Sequence, residues 1–574
     1  MGIEIQDEKL KKTIDNILKV LPNIRKVQEF RWYKIDNFYE GNHFFEVLDP
    51  RTKEIKKDEF LNQVKEVAIV QRAKKQLINA INLIKANKPS WAVYPRKDID
   101  LPKEIAEVFD KFALKISEFL EDIYYYNDID DISTNVIEDG FKYGVGYAEV
   151  GIDENNNLFV SHFSPYQIYH DPSLTDLDQA KWLVKEVVKT KEEILNATRN
   201  VIDEVTGEIK EVPLYDLEEA EKLKPESKVS LSTYYDLLEK RFRKGVSDIF
   251  DDDILGRIIM HEIWIKYRGK FWIITEAQGK ILRAEETPYT FLPFIAYVPL
   301  GQKLYQNMSW FEELIPLNKT LDIQITILNL LAKLGSKIIL LKHKNTNIDE
   351  LTSRVAELVE WEGQLPPEFM TPPSPSPILI SAIEQVKLLM NELGLAMLTF
   401  GSVPRGVKAY RAIESLKSSE YSNLATPISR FEEFLEKMAE KILDILDLYL
   451  VEPTNFYLKS KNEMVNLVSL DYFLQNKEFI QEYVNNGYVP ISSKYLVKVE
   501  ITTGLAYTEE GKRETMLELA KSGLIPPSKV LEAFRFSNAK ELIEETIKEK
   551  QWIEQLAKSQ FEGSENQQSP EISQ

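Results

Sequence analysis

The residues best able to move a proton or hold a metal are five histidines: His43, His162, His170, His261 and His343. None of them forms an H-x-x-x-H pair, the spacing that puts two imidazoles on one helix face to grip zinc. His261-Glu262 opens such a motif, but the second histidine does not follow. Asp251-Asp252-Asp253 brings carboxylates together as a divalent cation requires. They stand in a long polar stretch, where a solvated loop explains them better. The nearest approach to a phosphate-binding loop is Gly504 to Gly511-Lys512-Arg513. Its glycines are too far apart, and Arg513 stands where a hydroxyl should meet magnesium. Gly144, Gly146 and Gly151 loosely resemble a dinucleotide fingerprint, but they belong to a hairpin and are better explained by tight turns. With no cysteine in the chain, thiolate ligands, disulfides and cysteine nucleophiles are excluded. The expectation is no catalytic residue, no metal ligand and no cofactor.

What remains is the chemistry of charge. The 574 residues include 92 acidic and 72 basic ones, a formal net charge of -20. Gripping nucleic acid means neutralising phosphates with cations, so this chain should mostly repel DNA. One short stretch departs from that. Arg405, Lys408 and Arg411 lie beside Gly401, Pro404 and Gly406, with no acidic residue until Glu414. Few, weak phosphate contacts suit DNA that slides. Equally, the three cations read as an ordinary basic loop paired with neighbouring carboxylates.

The elements that must position these residues predict an α+β fold, predominantly α, with two to four structural units in a chain of this length. Residues 1–90 read as helical. Leu61, Val64 and Val67 open an apolar periodicity that continues through Leu77, Ile81 and Ile84 and stops at Pro89. Helices are expected at about 102–123 and 129–143. Residues 147–150 and 158–162 alternate around a polar run and predict a hairpin. A strand follows at 182–188. Residues 195–257 read as a polar, irregular insertion or long loop. Residues 258–267 and 270–275 predict a second hairpin, turning through Arg268-Gly269. A helix carries Leu317, Leu321, Ile325, Leu328 and Leu331, and prolines at 366, 367, 372, 373, 375 and 377 then force an extended loop over 364–377. Leu379, Ile383, Val386, Met390, Leu393 and Met397 form a heptad-like stripe, either core of a lone chain or an interface with neighbouring helices. A further long helix carries Ile428, Phe431, Leu435, Met438, Ile442, Ile445 and Tyr449. Short helices are expected over about 505–558, then a disordered tail. The charged stretch Met1 to Lys11 has no leader-like apolar core, and no run of about 18 apolar residues predicts a membrane helix.

Several segments carry a resemblance through their shared order. Arg31 to Asn42 contains Asp36-x-Phe38-Tyr39-x-Gly41-Asn42, followed by a helix with Asn79, Asn82-Leu83 and Pro89. Ser164-Pro165-Tyr166 leads to Asp171-Pro172 and then Ala180-Lys181-Trp182. Pro293-Phe294 runs through Ser309-Trp310 to Asn329. Residues 317–450 read helix, extended segment, helix, Gly-rich loop, long helix. Ser522-Gly523-Leu524-Ile525 precedes Val530-Leu531 and an acidic helix after Asn538. Taken together these resemble the portal proteins of tailed double-stranded DNA bacteriophages, in the large form found in short-tailed phages.

The resemblance implies a ring subunit with clip, stem, wing and crown, usually twelve to a ring. It implies a wing over 1–308, a first stem helix over 309–337 and a clip over 338–378. A second stem helix at 379–399, a tunnel loop at 400–411, and a long wing helix and return at 412–504 would follow, then a crown at 505–558 and a tail at 559–574. Arg405, Lys408 and Arg411 would then touch passing DNA, and the stripe from Leu379 to Met397 would meet neighbouring stem helices. Implied partners are further copies of the chain, the terminase large subunit, head-tail adaptor and tail proteins, capsid and scaffolding proteins, and double-stranded DNA, with no membrane. The implied place is the portal vertex of the virion, after assembly in the host cytoplasm. Another head-tail connector or tail structural protein would share the non-catalytic composition. A nucleic-acid enzyme would need a carboxylate cluster or phosphate loop that the sequence lacks.

Overall fold

The computed structural model describes residues 7–44, 47–48, 55–56, 60, 64, 66–85, 89–95, 103–153, 157–202, 209–224, 257–305, 309–335, 339–341, 368–370, 376–394, 424–450, 454–458, 463–469, 472, 488–491 and 495–500. The chain divides into two units. One comprises Met1–Gly406 with Ser422–Ile501, and every element below belongs to it. The other, Val407–Tyr421 with Thr502–Gln574, lies outside the described residues, as do the crown and tail expected there.

The chain opens with two helices, α1 (Glu8–Ile24) and α2 (Lys26–Tyr39). Leu10, Ile14, Ile17 and Leu21 recur every three or four residues, so α1 buries one apolar stripe. Asp7 caps it, its carboxylate accepting the Lys9 N–H. After a short ladder of β1 (Val47–Leu48) and β2 (Ile55–Lys56) come α3 (Arg72–Ile84) and the strand β3 (Ser90–Pro95). The helix that carries Leu77, Ile81 and Ile84 begins at Arg72, and Leu61 lies outside the described residues. Residues 67–71 are non-helical because their backbone is held by side chains of a distant helix, described below.

Helices α4 (Lys103–Tyr126) and α5 (Ile129–Tyr143) match the expected pair. Gly144 ends α5 in the left-handed region, φ 89°. Gly146 is needed for a different reason: a Cβ there would collide with the Val136 carbonyl. Strands β4 (Gly146–Ile152) and β5 (Leu158–Phe163) form the expected hairpin.

A five-stranded antiparallel sheet follows. It uses β6 (Ile168–His170), β7 (Trp182–Thr190), β10 (Arg257–Tyr267), β11 (Lys270–Ala277) and β12 (Lys280–Glu286), in the order β12-β11-β10-β7-β6. Two tight turns build its meander. Arg268-Gly269 (φ 51° and 91°) and Gln278-Gly279 (φ 51° and 81°) both adopt the paired positive-φ geometry that suits the twist of a hairpin. Between β7 and β10 the expected irregular stretch 195–257 is partly regular, which corrects that reading. It holds the end of α6 (Lys191–Asn196), the hairpin β8 (Thr198–Ile202) and β9 (Ile209–Pro213), and α7 (Leu217–Glu221). Its polar sequence still buries Ile194, Leu214, Ala220 and Leu223 against Ile258, Met260 and Leu282 of the sheet.

The strand β13 (Phe294–Tyr297) completes a second sheet, order β13-β4-β5. Long helices come next: α8 (Trp310–Gly335), then β14 (Ile339–Leu341) paired with β15 (Glu368–Met370), then α9 (Pro377–Leu393). Pro377 sits at the first position of α9, where its missing N–H costs nothing, behind a Ser376 cap. The last long helix, α10 (Ala425–Tyr449), buries Ile428, Phe431, Leu435, Met438, Ile442 and Ile445 as expected. It packs on β13, where Tyr297 lies edge-on to Phe431 and Phe434 and donates to the Pro427 carbonyl at 3.1 Å. Strands β16 (Thr454–Leu458), β17 (Glu463–Ser469) and β18 (Tyr488–Ile491) form a small sheet, and β19 (Tyr495–Glu500) pairs with β3. Among the described residues, no helix is long and apolar enough to cross a membrane.

Candidate functional site

The paired helices α8 and α9 are the elements most distinct from a plain core. At 26 residues, α8 extends for roughly 39 Å. Three of its polar residues, Asn318, Asp322 and Thr326, recur every fourth position and are fully buried. They grip the extended segment before α3. Thr326 Oγ1 accepts the Ala68 N–H at 2.9 Å, and Asp322 Oδ1 accepts the Val70 N–H at 2.8 Å. Asn318 accepts the Ala73 N–H at 2.9 Å and donates to the Val70 carbonyl at 2.8 Å. The match is geometric. Four helical residues rise about 6 Å, close to the ~6.6 Å between alternate residues of an extended chain. Thr326 and Asp322, four residues apart on α8, therefore meet the Ala68 and Val70 N–H groups, two apart, while Asn318 meets the N–H of Ala73 in the first turn of α3.

The other Asp322 oxygen is bonded to His43 Nδ1. His43 is itself buried and stacked flat on Phe38, 3.7 Å between ring centres. Arg31 on α2 adds a bidentate bond to Glu312 at the start of α8. On the other helix, Gln76 Nε2 of α3 donates to the Met390 carbonyl at 3.0 Å, and Arg72 reaches Asn391 at 2.7 Å. Both long helices are thus fixed to the same N-terminal block.

Ile383, Val386 and Met390 of the α9 stripe are buried in the main core of their own chain, and Leu379 is partly buried against it. Of the two readings left open for the stripe, core or interface, these positions pack in the core of their own chain, on the helix face that turns inward. Leu393 is 51 % exposed, and Met397 lies outside the described residues. A different α9 face stays apolar and open. Ile378 (79 % exposed) and Leu389 (46 %) join Leu393 there, at spacings that fall on one side of the helix. On α8, Ile327 (38 %) and Leu330 (36 %) follow Ile323 on another open stripe. Arg405, Lys408 and Arg411 lie outside the described residues, as do His343, Asp251-Asp252-Asp253 and the Gly504–Arg513 stretch.

The remaining histidines are tied into ion pairs or hydrogen bonds. His170 is buried, with Tyr147 Oη at 2.8 Å from Nε2 and Tyr305 stacked on its ring; burial lowers its pKa to about 4. His162 pairs with Asp139 at 2.7 Å, and burial raises the Asp139 pKa. Lys185 bridges the two sheets, 2.9 Å from Glu149 and 2.8 Å from Glu262. Burial disfavours its charge, yet the two carboxylates hold its pKa above the ordinary lysine value. On the far face of the five-stranded sheet, Arg25 donates to the carbonyls of Pro165 and Ile168 and pairs with Glu29 at 3.2 Å.

His261 stands between Glu276 at 3.0 Å and Glu186 at 3.4 Å. Burial opposes its charge, but the carboxylates prevail and raise its pKa to about 9. A raised histidine pKa contributes stability in full below the unfolded value near 6.5, and that stability is lost as pH rises through about 9. Stability measured in urea is therefore expected to fall by about 1–3 kcal/mol between pH 6.5 and 9.5. His261→Gln should flatten that fall, and an equal pH slope in the variant would refute the assignment.

These clusters pin helices to sheets and sheets to each other. The sequence singled out the histidines as chemical groups but could not show their partners, which come from distant strands. The Asn318-Asp322-Thr326 series was visible as polar residues every fourth position along α8, and was not read. No curated protein matches the chain. A family model described as the phage P22-like portal protein matches residues 36–574, so the chain belongs to that family, whose members are structural proteins of the bacteriophage virion that serve genome packaging.

Proposed function

We propose that the chain forms a closed ring, of about twelve subunits as the family resemblance implies, at one vertex of the capsid, with α8 and α9 as the two stem helices. The observation that supports this most is the pair of unlike apolar stripes on these helices, Ile378/Leu389/Leu393 and Ile323/Ile327/Leu330. A head-to-tail contact joins two different patches, and such contacts close into rings. The segment between the stem helices, 338–378, is the clip and docks first the terminase large subunit and later the head-tail adaptor and tail proteins. Residues 1–308 and 412–504 form the wing and meet capsid and scaffolding proteins, 505–558 form the crown, and assembly takes place in the host cytoplasm. Double-stranded DNA passes through the central channel. The chain works as conduit and docking surface, and the motor that hydrolyses ATP is a separate protein. Electron microscopy and native mass spectrometry of the purified chain test this directly. Rings with a central hole are expected, and a persistent monomer across micromolar concentrations would overturn the reading.

In this reading residues 400–411 form the tunnel loop at the channel wall, as the family resemblance implies. Arg405, Lys408 and Arg411 there offer a few phosphate contacts in a chain of net charge -20. Replacing all three by Ala is expected to leave ring assembly intact while lowering packaged or retained DNA several-fold, as counted by infectivity and genome content of particles. Each lost phosphate contact removes a salt-dependent increment of binding. Wild-type packaging in the triple variant would remove the loop from the mechanism.

A further inference from the structure

The Lys185 bridge between the sheets stands in the wall of a cavity of about 600 Å³, bounded by the five-stranded sheet and the β4–β5 hairpin. Small-molecule sites have volumes of this order. One face of the sheet forms the cavity floor, because residues paired across strands point to the same side. A row of Lys185, Glu262, Thr275 and Arg283 crosses β7, β10, β11 and β12, with Trp264 and Glu285 in the next row. Arg199 of β8 and Tyr449 at the end of α10 line the cavity from other sides.

The polar groups here are not matched to one another. Trp264 Nε1, Thr275 Oγ1 and Arg199 Nε are buried and have no hydrogen-bond partner among the described residues. Trp264 as a whole is 5 % exposed. Buried polar atoms left unpaired are rare, because each carries the cost of losing water. Three around one cavity point to an occupant. The charges are unevenly placed as well. At the β12 end, the guanidiniums of Arg199 and Arg283 converge on the carboxylate of Glu285. At the β7 end, the carboxylates of Glu149 and Glu262 share the ammonium of Lys185. Burial raises the pKa of Glu149 despite that lysine. Of the other charged lining residues, Glu286 pairs with Lys270 at 2.8 Å, and Asp153 closes the hairpin turn on the Asn157 N–H.

We infer that this cavity binds a dipolar ligand, a basic amino acid either free or as the last residue of another chain, with its carboxylate at Arg199 and its cation at Glu149 and Glu262. Arg199 gives Glu285 a terminal nitrogen and keeps Nε unbonded, on the edge from which a guanidinium forks a second carboxylate. Trp264 and Thr275 offer further polar contacts on the floor between the two ends. From Glu262 to Arg283 is two strand steps, about 10 Å between backbones. Side chains fill part of that span, which leaves the length of an amino acid with a long cationic side chain. An anion alone would meet the carboxylates of the β7 end, and a cation alone would meet the guanidiniums of the β12 end. A molecule carrying both charges is favoured at both ends, and Ile273 and Tyr289 give its aliphatic stem an apolar wall. The site belongs to the single subunit and is independent of ring formation.

Titration calorimetry on the full chain tests this with L-arginine, Nα-acetyl-L-arginine, agmatine and L-citrulline. Acetyl-arginine stands for the last residue of a chain, agmatine lacks the carboxylate, and citrulline lacks the cation. L-Arginine or its acetyl form is expected to bind with a Kd below about 1 mM, and agmatine and citrulline at least about tenfold more weakly. Acetyl-arginine binding as tightly as L-arginine, or tighter, assigns the site to the end of another chain, and weaker binding assigns it to the free amino acid. Arg199→Gln should weaken the better probe at least about tenfold, and Trp264→Phe about threefold. Phenylalanine keeps an aromatic ring against Phe294, and the N–H it removes has no partner to lose, so the melting temperature should stay unchanged. Should Trp264→Phe fail to fold, Arg199→Gln decides alone, at a side chain 40 % exposed. No binding of either arginine probe up to about 10 mM overturns the assignment. Agmatine binding as tightly as the arginine probes, or binding untouched by Arg199→Gln, overturns it as well.

Discussion

Asp322→Ala is expected to cost about 3–5 kcal/mol of folding stability, enough to unfold a marginal domain at physiological temperature. The carboxylate is fully buried and serves several partners at once: the Val70 N–H at 2.8 Å, the His43 ring and the Asn318 amide. Alanine takes this partner from the Val70 N–H and the His43 ring in a place water does not reach, while the Asn318 amide keeps its bond to the Val70 carbonyl. Leaving one buried donor unsatisfied costs about 1–3 kcal/mol, and His43 cannot rotate away because it is stacked on Phe38. Thr326→Val removes the acceptor of the Ala68 N–H and the donor to the Asp322 carbonyl, both neutral bonds, so about 1–2 kcal/mol is expected. Asp322→Asn keeps the shape and one acceptor and should fall between the two. Urea titrations followed by tryptophan fluorescence would rank them. In a double-mutant cycle, His43→Ala and Asp322→Ala should couple by at least about 1 kcal/mol. A loss below about 1 kcal/mol for Asp322→Ala would mean that α8 is held by apolar packing alone.

The same cluster marks where the sequence stopped being legible. Val64 and Val67 fit a helical period, and nothing in their types says otherwise. The deciding fact is that the Ala68 and Val70 N–H groups are satisfied by Thr326 and Asp322, about 250 residues away. Local periodicity carries no information about that. In contrast, α5 and the β10–β11 turn were legible in full. Asp130 and Asp131 in the first turn of α5, and Gly144 just beyond it, are local signals, and Arg268-Gly269 needs only its own backbone geometry. The stretch 195–257 was misread in its described parts because polarity was taken for irregularity. There, Thr190 and Asp216 cap two short helices, a pattern that composition averages away. The stem stripe was read with the correct period and an undetermined partner. Period tells which residues share a face, whereas the partner depends on which neighbour arrives there.

That distinction makes the proposed stem helix α9 the site of the other large effect. Leu389→Asp with Leu393→Asp is expected to abolish rings at concentrations where the original chain is fully assembled, while leaving the subunit folded. Both side chains are about half exposed in the lone subunit, so the substitutions remove little of its core. A substitution at an exposed site away from special features changes stability by about 0.5 kcal/mol or less. In a ring, each leucine would bury its remaining apolar area, a gain of about 1 kcal/mol per residue. Each aspartate instead brings a charge into a drying contact, at a cost of several kcal/mol unless it is paired. Two such changes, repeated at every contact of the ring, shift the assembly concentration by at least about a hundredfold, or roughly 3 kcal/mol per contact. Ile327→Asp on α8 should act in the same direction, because a head-to-tail contact fails when either half is spoiled. Met390→Asp is the contrasting case. Met390 is wholly buried, so this change should unfold the subunit before assembly is in question. Sedimentation velocity separates these outcomes, with folded monomers expected from the Leu389/Leu393 variant. Intact rings from that variant at the original concentration would show that the apolar α9 face lies outside the contact, and would return the stem interface to residues not yet tested.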